Sequence, residues 1–330
     1  MGISGESGAP RRVDAGALEL TGSTGPSSGD SVYGSSVYGS AAYLESCTHL
    51  GTPRSCAGGA WLSRAIPQSS ARDLTGAYPL WHTTDPERLA ESWSDLAADY
   101  VCAVAVVDPL LAEDFAGPLS TAFTDGWRPF KRHYLVELDG DFEAARSKHH
   151  RQAVRRASRR VHVERALEPG AWAAEWCGLY ALLRERLGFA GAPADFSDAD
   201  LAAQLRLPGA RYWRALVGDE CVAASLWLEA DGVTAYHLSA ASPAARSTEA
   251  PYGLMDAALR DAAERGLRLA TLGGAAGLTD DPNDGLAYFK SGWSTRSTPA
   301  FLGAKVLQPE RYRELAGGRE TSTFFPAYRA

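Results

Sequence analysis

Leu267-Arg268-Leu269-Ala270-Thr271-Leu272-Gly273-Gly274-Ala275-Ala276-Gly277 gives way to Asp280-Asp281-Pro282-Asn283-Asp284 and then to Gly285-Leu286-Ala287-Tyr288-Phe289-Lys290-Ser291-Gly292-Trp293. The mostly apolar run predicts a strand over 268–272, and the two glycines at its end let another group approach the backbone closely. An acidic, proline-containing loop follows, with Asp284 placed to cap the next helix. That helix, expected over 285–293, carries one lysine. On a helical projection Leu286, Phe289 and Trp293 form the buried stripe, and Lys290 lies on its edge. The ammonium is therefore aimed at the interior margin. It either faces a cleft, where a fixed cation stabilises charge developing on a carbonyl oxygen, or snorkels with its stem over the core.

Working outward, 212–217, 221–229 and 233–241 read as strands joined by the hairpin turns Gly218-Asp219-Glu220 and Asp231-Gly232. Pro251 starts a helix that Gly266 stops, with Leu254, Met255, Ala258, Leu259 and Ala262 inward. A last strand is expected over 300–307. Upstream, a charged helix spans 146–160, and 171–187 repeats Trp172, Trp176, Leu179, Leu183 and Leu187 at helical spacing. Still earlier, Pro86 opens a helix with Leu89, Trp93, Leu96 and Ala97 on one face, and 101–107 and 133–138 read as buried strands. Residues 1–30, rich in Gly, Ser and Pro, read as a mobile leader.

At 330 residues, 45% hydrophobic and 22% charged, the composition is that of a globular protein long enough for two domains. No apolar run has the length of a membrane helix. Residues 1–10 lack the apolar core of a signal peptide, so a cytoplasmic location is expected. Five scattered cysteines without a CxxC argue against a disulfide framework or a zinc site and read as small core residues. Four of the 33 basic residues are lysines: Lys131, Lys148, Lys290 and Lys305. A lysine inside the central motif is a compact point charge where this chain usually writes a guanidinium.

The order of antiparallel strands, helix, strand, helix, strand, together with Gly273-Gly274 and Phe289-Lys290, resembles the Fem-type peptidyltransferases, relatives of the GNAT acyltransferases. The resemblance implies an α/β (α+β) fold of two tandem GNAT-like domains, each a mixed, mainly antiparallel sheet flanked by helices. Residues 140–307 would form the second, donor-side domain. Residues 31–139 would form a divergent first, acceptor-side domain completed by 308–330. It implies transfer of an aminoacyl group from aminoacyl-tRNA, as co-substrate, to an amine of a small-molecule or peptide acceptor, in antibiotic or other natural-product assembly. No ATP, metal or further cofactor and no membrane partner is expected. Such transfer needs positioning, oxyanion stabilisation and proton removal, with no covalent intermediate.

In the related enzymes the lysine of the matching Phe-Lys motif stabilises the developing oxyanion, so Lys290 is the expected catalytic cation. Gly273 and Gly274 would line the substrate site, and Asp280 or Asp281 would orient the incoming amine or accept its proton. Acyl-CoA enzymes of the GNAT superfamily cradle pyrophosphate on a glycine-rich loop before a helix. Here that loop reads Arg246-Ser247-Thr248-Glu249-Ala250-Pro251, with an acid at the first glycine position and a proline lacking an N–H. This departs from a CoA site. Arg246 is either a phosphate contact or a surface arginine beside Glu249.

Arg146, Lys148, Arg151, Arg155, Arg156, Arg159 and Arg160 place seven cations in one acid-free stretch. The whole chain carries −7, so the remainder without them carries −14. This reads either as a tRNA phosphate footprint or as a solvated face with Val154, Ala157 and Val161 inward. For the acceptor, Asp73, Tyr78 and Trp81 lie in a segment that loosely matches the family's acceptor turn, with Tyr236 and His237 as further candidates. The segment also reads as a Pro-bounded loop packing aromatics into the core, and His237 as a satisfied core histidine. Two other functions stand beside the main one: an acyl-CoA-dependent N-acyltransferase, and a non-catalytic RNA-binding protein using the basic stretch.

Overall fold

The computed structural model describes residues 36–56, 58–188, 191–276, 281, 284–319, 322 and 324–330. The expected leader, 1–30, lies outside them. Eleven strands of the described residues form one sheet: β1 (Thr52–Cys56), β2 (Gly59–Ala65), β3 (Arg72–Gly76), β4 (Cys102–Val107), β5 (Gly126–Glu137), β6 (His162–Ala166), β7 (Ala210–Val217), β8 (Glu220–Ala230), β9 (Val233–Ala241), β10 (Leu269–Gly274) and β11 (Arg296–Val306). Their order is β1-β2-β3-β4-β11-β5-β10-β9-β8-β7-β6. Two neighbouring pairs, β3 with β4 and β9 with β10, are parallel; the other pairs are antiparallel. The mixed, mainly antiparallel sheet flanked by helices is as expected from the sequence, but one sheet of eleven strands runs through the described residues where two tandem sheets were expected.

The helices are α1 (Ala41–Glu45), α2 (Leu89–Leu96), α3 (Pro109–Ala122), α4 (Phe142–Ala145), α5 (Lys148–Ala157), α6 (Ala173–Leu187), α7 (Asp198–Gln204), α8 (Ala250–Glu264), α9 (Gly285–Ser291) and α10 (Pro309–Ala316). Their starts are written in capping side chains. Asp108 accepts from Leu110 N, Ser147 from His150 N, and Ser197 with Asp200 closes a capping box. Helices cover both faces of the β6–β10 half. Trp176, Tyr180 and Leu201 pack with Leu226 and Leu238, while Leu254, Leu259 and Trp293 pack with Trp227 and Leu272. On the other half, Trp93, Leu111 and Phe123 bury Trp61, Trp81 and Val107.

Four local expectations are revised. Helix α9 buries Ala287 and Lys290, with Trp293 just beyond its end, whereas Leu286 is 36% exposed. The cap at Asp284 fixes a helix of seven residues whose buried side turns the lysine inward, one position round from the expected stripe. Leu187 is 60% exposed, because α6 ends there at Gly188 in the left-handed conformation. Arg146 precedes the cap of α5 and is buried, paired with Asp256 and stacked at 4.7 Å on the Trp293 ring. Strand β5 is twice the expected length and inserts between β10 and β11.

The chain's end returns to β3. Arg329 Nε and Tyr328 OH donate to Asp73 Oδ2 at 2.7 and 2.9 Å, and Arg64 Nε donates to Oδ1 at 2.9 Å. No helix of the described residues is long and apolar enough to cross a membrane.

Candidate active site

The parallel ladder between β9 and β10 runs only from Val233–Leu269 to Ala235–Thr271. Beyond it β10 bulges at Leu272, between Thr271 and Gly273, and stays paired with β5 through Gly274, while β9 runs on to Ala241. A bulge re-aims the backbone and ends the pairing on one side, which leaves the last carbonyls of β10 beside a split between parallel strands.

Lys290 fills that split from α9. Its Nζ donates to Gly274 O at 2.6 Å and stands 5.8 Å from the centroid of the Tyr236 ring on β9. Gly273 has φ +74°, and a Cβ there would lie 3.3 Å from Nζ, so a side chain at this position would be strained and would crowd the ammonium. An ammonium has three donors, and Gly274 O is its acceptor among the described residues. Burial, then the charge of Lys131, pushes Lys290 down to about 7 from 10.5, with Asp284 acting the other way.

Two further groups reach the site from β5, and sequence reasoning missed both. Lys131 Nζ donates to Ala275 O at 3.2 Å, and burial lowers its pKa. His133 pairs with Gly274 across the ladder and packs against it. Burial, then Lys290 and Lys131, pushes its imidazole down to about 3, so it is neutral at ordinary pH. Two ammonium groups thus hold successive carbonyls at the end of β10. Asp284 caps α9, accepting from Ala287 N at 2.7 Å, as expected. Asp281 is exposed, and Asp280 lies outside the described residues.

The other candidates distribute as follows. Tyr236 borders the site, and burial raises its phenol to about 12. His237, on the opposite face of β9, is buried with Nε2 3.2 Å from Gln204 Oε1, and burial pushes it down to about 3. That is a satisfied core histidine. Trp81 is fully buried 4.8 Å from the Trp61 ring, and Tyr78 sits 6.0 Å from Phe196. Asp73, fully buried by Arg64, Arg329 and Tyr328, ties down the tail. The structure brings none of these four into contact with Lys290.

On α5, Lys148, Arg151 and Arg155 are exposed, as is Arg159 beyond its end, whereas Arg156 pairs with Glu249 at 2.8 Å. Arg246 is exposed on a short 3-10 turn, Pro243–Ser247. At the start of α8, Glu249 adopts φ +61° and its carboxylate serves Arg156 instead of capping the helix. Ala250 N donates to Thr248 Oγ1, Pro251 has no N–H, and Tyr252 N and Gly253 N are bonded to Glu249 O. No first-turn amide is left for a pyrophosphate.

A family model described as an acetyltransferase (GNAT) domain matches residues 144–290. With that domain the chain is an acyltransferase. Among solved structures, FemX is similar at a TM-score of 0.62 and 14% identity, covering 84% of this chain and 94% of that one. The C-terminal domain of a putative lysylphosphatidylglycerol synthetase from Agrobacterium fabrum gives 0.56 and 15%, covering 87% and 93%. L-PGS from Bacillus licheniformis gives 0.55 and 17%, covering 80% and 87%. These likenesses establish a shared fold. No curated protein matches the chain. Among the described residues no group of His, Cys, Asp or Glu could hold a metal ion.

Proposed function

We propose that this chain transfers an aminoacyl group from aminoacyl-tRNA to an amine of a small-molecule or peptide acceptor, in the cytoplasm and in natural-product assembly. The observation that carries the reading is Lys290: a buried ammonium fixed on Gly274 O, with further donors, at the split between β9 and β10. The neutral amine attacks the ester carbonyl of the donor, and negative charge gathers on the carbonyl oxygen. Lys290 in its charged form donates to that oxygen. The new C–N bond forms, the ester C–O bond breaks, and the ribose hydroxyl leaves with the proton released by the amine.

The closed N-terminus of α8 supports a donor other than a CoA ester. In this reading residues 140–307 bind the donor, and residues 31–139 with 308–330 bind the acceptor. Strand β5 then brings Lys131 and His133 from the acceptor unit to the donor site. Asp281 and Arg246 stay as a candidate proton acceptor and a candidate phosphate contact.

The test incubates the protein with total tRNA charged with radiolabelled amino acids and a panel of amines, with phosphatidylglycerol vesicles as a hydroxyl acceptor. Label moving to an amine, and abolished by ribonuclease, is the expected result. Label reaching only the lipid would overturn the amine acceptor. Stabilisation by CoA esters with no transfer from tRNA would overturn the donor.

A further inference from the structure

The buried cations of the described residues divide by partner. Arg146 lies on the Asp256 carboxylate, and Arg214 lies on Glu175 and Glu164. Lys290 is buried to the same degree, and among the described residues no carboxylate stands within ion-pair distance of it or of the half-buried Lys131. Their partners are backbone dipoles, Gly274 O for Lys290 and Ala275 O for Lys131, with the Phe130 ring centroid 5.7 Å from Lys131 Nζ. A charge taken out of water is costly unless an opposite charge meets it. Here two like charges act on each other instead. Asp284 acts on both from a distance, but its carboxylate caps α9 on Ala287 N. His133 beside them is a neutral imidazole and brings no negative charge.

The donors are also in surplus. Each ammonium has three, and each spends one on a carbonyl. Those carbonyls belong to successive residues, whose Cα atoms lie about 3.8 Å apart, so both cations converge on one small region at the end of β10. The oxyanion that gathers on Lys290 during transfer is a single, transient oxygen and leaves the charge of Lys131 unmet. An anion carried permanently by a substrate would meet it. Topology says which substrate. Lys131 arrives on β5, within the residues given above to the acceptor side, and reaches the site only because β5 pairs with β10.

Resting on the aminoacyl-transfer reading of Lys290, we propose that Lys131 binds an anionic group of the acceptor, a carboxylate or a phosphate carried close to the amine that attacks. The acceptor is then of the amino-acid or amino-phosphate class. A polyamine would bring further positive charge to two cations that already lack a counter-charge, and is selected against.

The test offers glycine with glycinamide, and O-phosphoethanolamine with ethanolamine, as acceptors of label from aminoacyl-tRNA. The quantity read is kcat/KM for the anionic member of each pair over that for its neutral partner, in the parent and in Lys131→Met. Differences in amine basicity, and any effect of Lys131 on Lys290, enter both members of a pair and cancel between parent and variant. The ratio falls about tenfold or more in Lys131→Met, the effect of one hydrogen bond to a charged group, whereas Lys131→Arg keeps most of it. A fall confined to the glycine pair assigns a carboxylate, and one confined to the other pair a phosphate.

A second measurement needs neither donor nor variant. The chain has four lysines, Lys131, Lys148, Lys290 and Lys305, so amine labelling is mapped on each by peptide mass spectrometry. N-acetylglycine or methyl phosphate slows labelling of Lys131, N-acetylglycinamide does not, and the exposed Lys148 is labelled alike with all three. An unchanged ratio overturns the proposal, as does equal labelling of Lys131 with and without the anions should Lys131→Met fail to fold; if ribonuclease-sensitive transfer persists, the function above stands without it. Slowed labelling in a protein that transfers nothing from tRNA overturns that function and keeps the anion site. Equal labelling with no transfer overturns both.

Discussion

Lys290 keeps a buried ammonium 2.6 Å from the Gly274 carbonyl oxygen, with a second lysine on the next carbonyl. Below pH 7 both folded and unfolded chains hold the proton, so the folded protein bears the full cost of a desolvated charge. Between about 7 and 10.5 the unfolded chain binds more protons than the folded one, and stability at this position rises with pH. Lys290→Met therefore gains in Tm relative to the parent below pH 7, and the difference narrows as pH approaches 10.5. In the proposed function the same environment sets the activity. If the charged form stabilises the oxyanion, the rate carries a limb that falls above pH 7. Lys131→Met removes a like charge and moves that limb to higher pH, read from a pH–rate profile. A limb that does not move contradicts the effect of the Lys131 charge on Lys290.

At the scale of elements, the strands and helices on the C-terminal side of the chain were legible because each carries its own signals. The hairpin turns, Pro251, Gly266 and the Asp284 cap fall where the sequence puts them. The phase of α9 was legible in part: Lys290 and Trp293 turn inward as expected, and Leu286 does not. Hydrophobicity favoured Leu286, but the helix is short, and its inward face is set by where the Lys290 ammonium finds a carbonyl. Lys131 and His133 were not legible. They join the site through the pairing of β5 with β10, across more sequence than local periodicity can report. The contact between α9 and α5 has its own check. Gly292→Ala drives a methyl into the His150 ring, costing about 1–3 kcal/mol in a urea melt. An unchanged midpoint would show that the His150 ring is not rigidly held.

Across the whole molecule, one sheet carries both halves, because β11 pairs with β4 on one side and β5 on the other. Sequence patterns marked the antiparallel run from β7 to β9 and the strand β10 after it, while the acceptor candidates Asp73, Trp81 and His237 proved to be buried in the packing. Asp73 shows why. An acid in a polar segment reads as a ligand until Arg329 and Tyr328, at the far end of the chain, are seen to close over it. Charge is also distributed on this scale. An acidic chain of −7 collects exposed cations on α5, beside the helix that bears Lys290.

The claim that joins these scales is that Lys290 serves the chemical step of aminoacyl transfer. Single-turnover transfer from aminoacyl-tRNA, followed across pH in the parent and in Lys290→Met, tests it most directly. The account predicts a rate lowered about 10²–10³-fold with donor affinity kept, and loss of the limb near pH 7. A variant that transfers at the parent's rate, with the same pH profile, would contradict it.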